Sequence, residues 1–177
     1  MLLQLYTYRK ENINKRKWYA VYVKSRNEKK VFANLLENNI ESYLPLLRTL
    51  KQWKDRKKLV DIPLFNSYIF VYADVLEQFK VRQVQGIVKF VSFEGKPTSI
   101  PNEQIKSLKL LLQSTEKFEI GYDKIELGEE VEVYKGTLKG FRGTLTKYKG
   151  KKKVLLRIDA LNQYLMIEIQ LSNLKKI

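Results

Sequence analysis

The chain has 177 residues, 44% of them hydrophobic, and carries 34 Lys plus Arg against 19 Asp plus Glu, a formal net charge of +15 at pH 7. It contains neither cysteine nor histidine, which excludes disulfides, thiolate metal sites and cysteine nucleophiles and removes the side chain best suited to proton transfer near neutral pH. The length allows one ordinary domain or two small ones, and the charge points to a polyanionic partner such as nucleic acid or the ribosome, with an acidic membrane surface or a merely soluble exterior as the alternatives.

Residues 1–16 are a polar, basic N-terminal extension with little apolar periodicity. Trp18 to Val23 is a strand by its aromatic and β-branched content. Ser25 followed by Glu28 has the form of a capping box, and Val31, Phe32, Leu35 and Leu36 then give one apolar helical stripe ending near Asn38-Asn39. Ile40 to Leu50 reads as a strand interrupted by Pro45, which suits an edge. A basic loop, Lys51 to Lys58 around Trp53, follows. Tyr68 to Tyr72 is a second strand, and Asp74 with Glu77 starts a short helix bearing Phe79, Val81 and Val84. Val88 to Phe93 returns as a strand, Glu94-Gly95-Lys96-Pro97 turns the chain, and Pro101 opens a helix whose Ile105, Leu108 and Leu112 share a face. Residues 114–125, polar and without periodicity, form the expected linker between a first domain at 17–113 and a second at 126–177.

In the second domain Val131 and Val133 alternate with Glu130, Glu132 and Tyr134, the period of a half-buried strand. Gly136, Gly140 and Gly143 sit where turns and close strand crossings need positive φ or no side chain. Lys153 to Ile158, Tyr164 to Ile169 and Leu171 to Leu174 supply further strands, which together suit a small barrel. Strands interleaved with helices, then strands alone, make an α+β chain. Asp55, Asp61, Asp74, Glu129, Glu130 and Glu132 form no paired-carboxylate or metal-binding constellation in sequence, and no phosphate-loop glycine pattern is present. Neither an enzyme nor a cofactor is expected. No apolar run approaches a membrane span and residues 1–16 lack a signal-peptide core, so the expected location is the cytoplasm, away from membranes.

The run from Ile125 to Leu145, I-E-L-G-E-E-V-E-V-Y-K-G-T-L-K-G-F-R-G-T-L, resembles the KOW module of the NusG family. Trp18-Tyr19, the helix after Lys24, L-F-N-S-Y-I-F-V from Leu64 and V-R-Q-V from Val81 resemble that family's NGN domain. The resemblance spans nearly the whole chain in the family's domain order. Y-L-P-L from Tyr43 and P-L-F-x-x-Y-x-F-V from Pro63 are most similar to specialised paralogues of the RfaH and UpxY type, antiterminators of polysaccharide operons.

The resemblance implies an NGN domain, an antiparallel sheet flanked by helices, followed by a small all-β KOW barrel. It also implies a monomeric transcription elongation and antitermination factor. In the family an aromatic depression receives the clamp helices of RNA polymerase, and the matching positions are Tyr22, Phe65, Tyr68 and Phe70. By spacing alone, Tyr68 and Phe70 share one strand face, which is either a docking surface or plain core. Positions matching Lys24, Arg26, Lys29, Lys30 and Asn34 touch the non-template DNA strand in the specialised paralogues, while the bland reading is a solvated helix face. Lys and Arg neutralise phosphates, and an Asn amide can read a base edge. Lys51 to Lys58 is a separate nucleic-acid candidate.

The family's KOW module implies Rho or a ribosomal protein as a further partner. Gly136-Thr137-Leu138 replaces the family's usual Gly-Pro-Phe, Ala160 to Gln163 replaces its tip loop, and the His-Thr-Thr element of RfaH is absent. The competing readings are a KOW-containing ribosome- or RNA-binding protein and a carboxylate-dependent nuclease.

Overall fold

The computed structural model describes residues 15–52, 55–121, 128–148 and 151–177. The chain divides into two compact units between Ser99 and Ile100. The α+β class expected from the sequence is the class observed.

In the first unit β1 (Lys17–Val23), α1 (Glu28–Glu37), β2 (Ser42–Tyr43), β3 (Leu46–Gln52), β4 (Lys57–Pro63), β5 (Tyr68–Ala73), α2 (Val75–Gln83), β6 (Ile87–Phe90), β7 (Ser92–Phe93) and β8 (Lys96–Pro97) follow one another, with β9 (Ser99–Ile100) at its end. An antiparallel sheet runs β2-β5-β1-β6, with β1 and β5 in register from Lys17↔Ala73 to Tyr22↔Tyr68. Alternate residues of these strands, Val21, Val23, Ile69, Val71 and Ala73, pack with Val31 and Leu35 of α1 and Val81 of α2 in one core. Each such aliphatic side chain, when fully buried, stabilises the fold by roughly 1.5–3 kcal/mol.

Two expectations change here. Helix α1 starts at Glu28, behind an Asn27 that makes no side-chain cap bond, so Ser25 and Glu28 do not form a capping box. The Glu28 carboxylate is buried and accepts a bond from the distant Ser67 N–H at 2.9 Å, a partner that sequence spacing could not indicate. The basic loop after Leu50 is the end of a hairpin, because β3 and β4 pair from Leu46↔Pro63 to Gln52↔Lys57 as a two-stranded sheet of their own. Trp53 lies outside the described residues, as does the N-terminal extension up to residue 14. The extension's Arg16 is held by Glu77 at 2.9 Å and lies over the Tyr72 ring at 5.1 Å. Asp74 does form the expected box, with Glu77 N–H donating to Asp74 Oδ1 at 2.8 Å and Asp74 N–H to Glu77 Oε2 at 3.0 Å. Glu94 and Gly95, at φ +49 and +76, make the turn between β7 and β8, the conformation that a two-residue hairpin loop requires.

The second unit contains α3 (Asn102–Gln113), β10 (Phe118–Gly121), β11 (Glu130–Val133), β12 (Arg142–Tyr148), β13 (Lys151–Ile158), β14 (Gln163–Ile167) and β15 (Leu174–Lys176). Its sheet is ordered β10-β14-β13-β12-β11-β15. Val131, Val133, Phe141, Val154, Leu156, Ile158, Leu165 and Ile167 are buried, and Leu155, Tyr164 and Met166 form a separate buried cluster. Helix α3 packs on β12 and β13, and Arg142 N–H donates to Ser107 Oγ at 2.9 Å. Its buried positions are Ile105, Ser107, Leu108 and Leu111. Leu112, expected on that face, is only half-buried, being the penultimate residue of the helix.

This helix belongs to the compact unit of the β module, whereas the sequence groups it with the first domain. The expected linker at 114–125 contains β10, paired with β14 from Phe118↔Ile167 to Gly121↔Tyr164. An edge strand needs backbone bonds more than a buried face, which explains why its polar composition conceals it. Leu171–Asn173, expected within a strand, is a 3₁₀ turn leading into β15. Gly136 and Gly140 take φ of +87 and +88, while Gly143 has no positive φ and is required instead by close packing. Glu132 on β11 binds Arg142 on β12 at 2.9 Å and Lys175 on β15 at 3.3 Å, clasping three adjacent strands. Lys175, then Arg142, hold its carboxyl below the usual glutamate range.

Candidate docking site and nucleic-acid interface

The side of the first sheet that faces away from the helical core is aromatic. Trp18, Ala20 and Tyr22 of β1 stand opposite Tyr72, Phe70 and Tyr68 of β5, all on one face by the two-residue period of a strand. The rings meet in pairs: Trp18 with Tyr72 at 5.2 Å, Tyr22 with Tyr68 at 5.5 Å, Phe65 with Phe70 at 5.9 Å and Tyr43 with Phe70 at 6.4 Å. Tyr43 stacks on Phe70 while the other three pairs are tilted or edge-on, and such ring contacts add about 0.5–1.5 kcal/mol each beyond burial. Burial pushes the Tyr43 phenol up to about 12, so it stays neutral at physiological pH.

The four aromatics expected to dock a partner are thus brought together, in two different roles. Phe65 and Phe70 are 1% and 0% exposed, and they are packed under the aromatic face. Tyr22 and Tyr68 are half-buried and line an open cavity of about 760 Å³ with Arg82, Ile87, Val88 and Phe90. Arg82 lies over the Phe90 ring at 5.0 Å and the exposed Phe79 ring at 5.8 Å. Sequence reasoning missed Arg82 and Val88. The available signal was the three-residue step from Phe79 to Arg82 on one helix, which places a guanidinium beside a ring.

The turn before Tyr68 is fixed from both sides. Ser67 adopts φ +65, a left-handed conformation that is uncommon for a residue with a side chain. Its N–H donates to Glu28 Oε1 at 2.9 Å, and its carbonyl accepts from Val23 N–H at 2.9 Å. Glu28 therefore sets the approach of the chain to Tyr68. Glu28→Ala is expected to lower unfolding free energy by about 1–3 kcal/mol, the cost of an unsatisfied buried donor. Urea denaturation measures it, with Glu28→Gln, which keeps an acceptor oxygen, recovering a large part of the loss.

Lys24 and Arg26 occupy the turn between β1 and α1, two and four residues beyond Tyr22, and Lys29 and Lys30 open the helix. All four are exposed, and none has an acidic partner among the described residues. Asn34 lies one turn beyond Lys30, half-buried, beside a hollow of about 430 Å³ shared with Glu37, Asn38, Lys80 and Gln83. Its side-chain amide has no protein partner among the described residues, while its backbone carbonyl accepts from the Asn38 side chain at 2.7 Å. Four exposed cations and one half-buried amide therefore lie along residues 24–34, types that suit phosphate and base-edge contacts. Among the described residues no helix is long and apolar enough to cross a membrane.

Comparison with known proteins finds the NusG family, described as transcription termination factor nusG, matching residues 16–109. The transcription termination/antitermination protein NusG of Chlamydia trachomatis is 25% identical, the match covering 80% of this chain and 85% of that protein. The protein of the same description from Bacillus subtilis is 27% identical, with coverage of 90% and 98%. A solved structure concerned with domain interaction in Thermotoga maritima NusG is 22% identical and covers 92% of this chain, with a TM-score of 0.44.

Proposed function

The chain belongs to the NusG family, a family of transcription factors and not of enzymes, and on that basis we propose that it binds elongating RNA polymerase through the cavity lined by Tyr22 and Tyr68. The observation that carries this reading is the pair of half-buried tyrosines in ring contact that line the cavity, within the stretch that the family shares. An aromatic pair on a rigid strand ladder, lining an open hollow, is the form that interface anchors take. The apical tip of the polymerase clamp helices is the proposed occupant. Lys24, Arg26, Lys29 and Lys30 then contact phosphates of the non-template DNA strand, with Asn34 reading a base edge. Sequence preference from Asn34 makes the factor operon-specific, an antiterminator of selected transcripts in the cytoplasm.

The C-terminal β module, residues 126–177, is proposed to recruit a further partner, a ribosomal protein or Rho, while the chain itself acts as a monomer. Affinity purification of the chain from its own cells tests the reading. RNA polymerase subunits in the eluate are the expected result, whereas ribosomal RNA without polymerase would favour a ribosome-bound protein.

A further inference from the structure

The hairpin of β3 and β4 is a strongly charged element that this reading leaves without a task. Its two strands form a sheet of their own, and every described residue from Leu50 to Leu59 is exposed. Lys51 stands directly across from Lys58, and Gln52 across from Lys57. Like charges facing each other across a ladder destabilise a hairpin, and a two-stranded ribbon is marginal in water to begin with. Among the described residues, the ion pair on these strands is Arg48 with Asp61, at 4.0 Å and well exposed. Lys51, Arg56, Lys57 and Lys58 have no acidic partner among the described residues.

Register decides where the cations point. Lys51 and Lys58 share one face, and Lys57 lies on the other with Leu50 and Leu59. Leu50 and Leu59 also face each other across the ladder, 57% and 49% exposed. A ligand that relieves this arrangement brings negative charge to both faces of a narrow ribbon and an apolar patch to one of them. A single nucleic-acid strand brings phosphates to one face only. A duplex groove has phosphates along both walls, and the major groove, about 12 Å wide, admits a two-stranded ribbon. Thymine methyl groups in that groove provide the apolar contact for Leu50 and Leu59.

We propose that the β3–β4 hairpin is a double-stranded DNA-binding arm, which enters the major groove and neutralises phosphates on both walls through Lys51, Lys57 and Lys58. This surface is separate from the Lys24 to Asn34 stretch and takes duplex rather than single-stranded DNA. Its test needs no polymerase, so its failure leaves the docking reading intact.

Fluorescence anisotropy of the full chain with a duplex of mixed sequence, about two helical turns long, over a series of salt concentrations, is the experiment. Lys51→Ala, Lys57→Ala and Lys58→Ala together should weaken duplex binding about tenfold or more and reduce the slope of log affinity against log salt by roughly 3, near one unit for each phosphate no longer neutralised. All three side chains are exposed, so folding is expected to be retained, and circular dichroism checks it. The paired control, Lys96→Ala with Lys117→Ala, two exposed lysines outside both basic stretches, should leave most duplex affinity in place. An unchanged slope and affinity in the triple variant would overturn the proposal. So would a preference for the single strand over the duplex of the same sequence, or an equal loss of duplex binding in the Lys96 and Lys117 control.

Discussion

Tyr22→Ala combined with Tyr68→Ala should abolish retention of RNA polymerase by a protein that remains folded. Buried aromatic anchors cost about 2 kcal/mol or more each when truncated, close to a thirtyfold loss of affinity apiece. The two rings touch at 5.5 Å, so their losses will not simply add. Both are half-buried in the free protein, which limits the damage to the fold. Phe70→Ala is a different experiment, because its ring is 0% exposed and truncating a buried Phe costs about 3–5 kcal/mol of stability. Reduced docking in that variant would report a damaged core and not a missing anchor. A pull-down with a clamp-helix fragment, alongside a urea unfolding curve, separates the two. Undiminished retention by the folded tyrosine pair variant would remove this cavity from consideration as the docking site.

The second large effect concerns the β module. A Cβ at Gly143 would lie 2.6 Å from the Leu155 carbonyl oxygen and 2.9 Å from Val154 Cγ1, and neither the ladder backbone nor a buried valine can move aside freely. Gly143 is held between Val131 on β11 and the β13 strand, since its neighbour Thr144 pairs with Leu155. Gly143→Ala is therefore expected to cost about 3 kcal/mol, at the upper end of ordinary overpacking. Gly95 serves as the control. It has φ +76, but a methyl group added there would find no atom within 4 Å, so Gly95→Ala should cost only about 1 kcal/mol, the backbone strain alone. Urea midpoints for the two variants measure the difference, and equal midpoints would contradict the packing argument.

Local signals carried the parts of this fold that are locally determined. Trp18 to Val23 and Tyr68 to Tyr72 are dense in aromatic and β-branched residues, and both are central strands with one face in the helical core. Asp74 and Glu77 satisfy each other within one helical turn, so their capping box was visible in sequence. Ser25 and Glu28 have the same spacing, yet the buried carboxylate is claimed by Ser67, 39 residues away; no short-range pattern encodes such a bond. Strand β4 was hidden because its exposed residues, from Lys57 to Leu59, show no buried face, and a hairpin held by backbone pairing leaves a weak periodic trace. Edge strand β10 was hidden for the same reason. At the candidate site the aromatic residues are legible as a group, but not their division into half-buried tyrosines and fully buried phenylalanines. That division depends on what covers each ring, and a strand buried on both faces loses the alternation from which exposure is read.

Whether the tyrosine cavity receives the clamp helices is decided by photocrosslinking from position 68 in a reconstituted elongation complex. A benzophenone amino acid replaces Tyr68 in the full chain, the complex is assembled on a nucleic-acid scaffold, and the linked polymerase peptide is identified by mass spectrometry. Docking through this cavity requires a cross-link confined to the clamp helices, abolished when Tyr22→Ala is added. A cross-link to another polymerase element, or none from a protein that still co-sediments with the complex, would place the docking surface elsewhere.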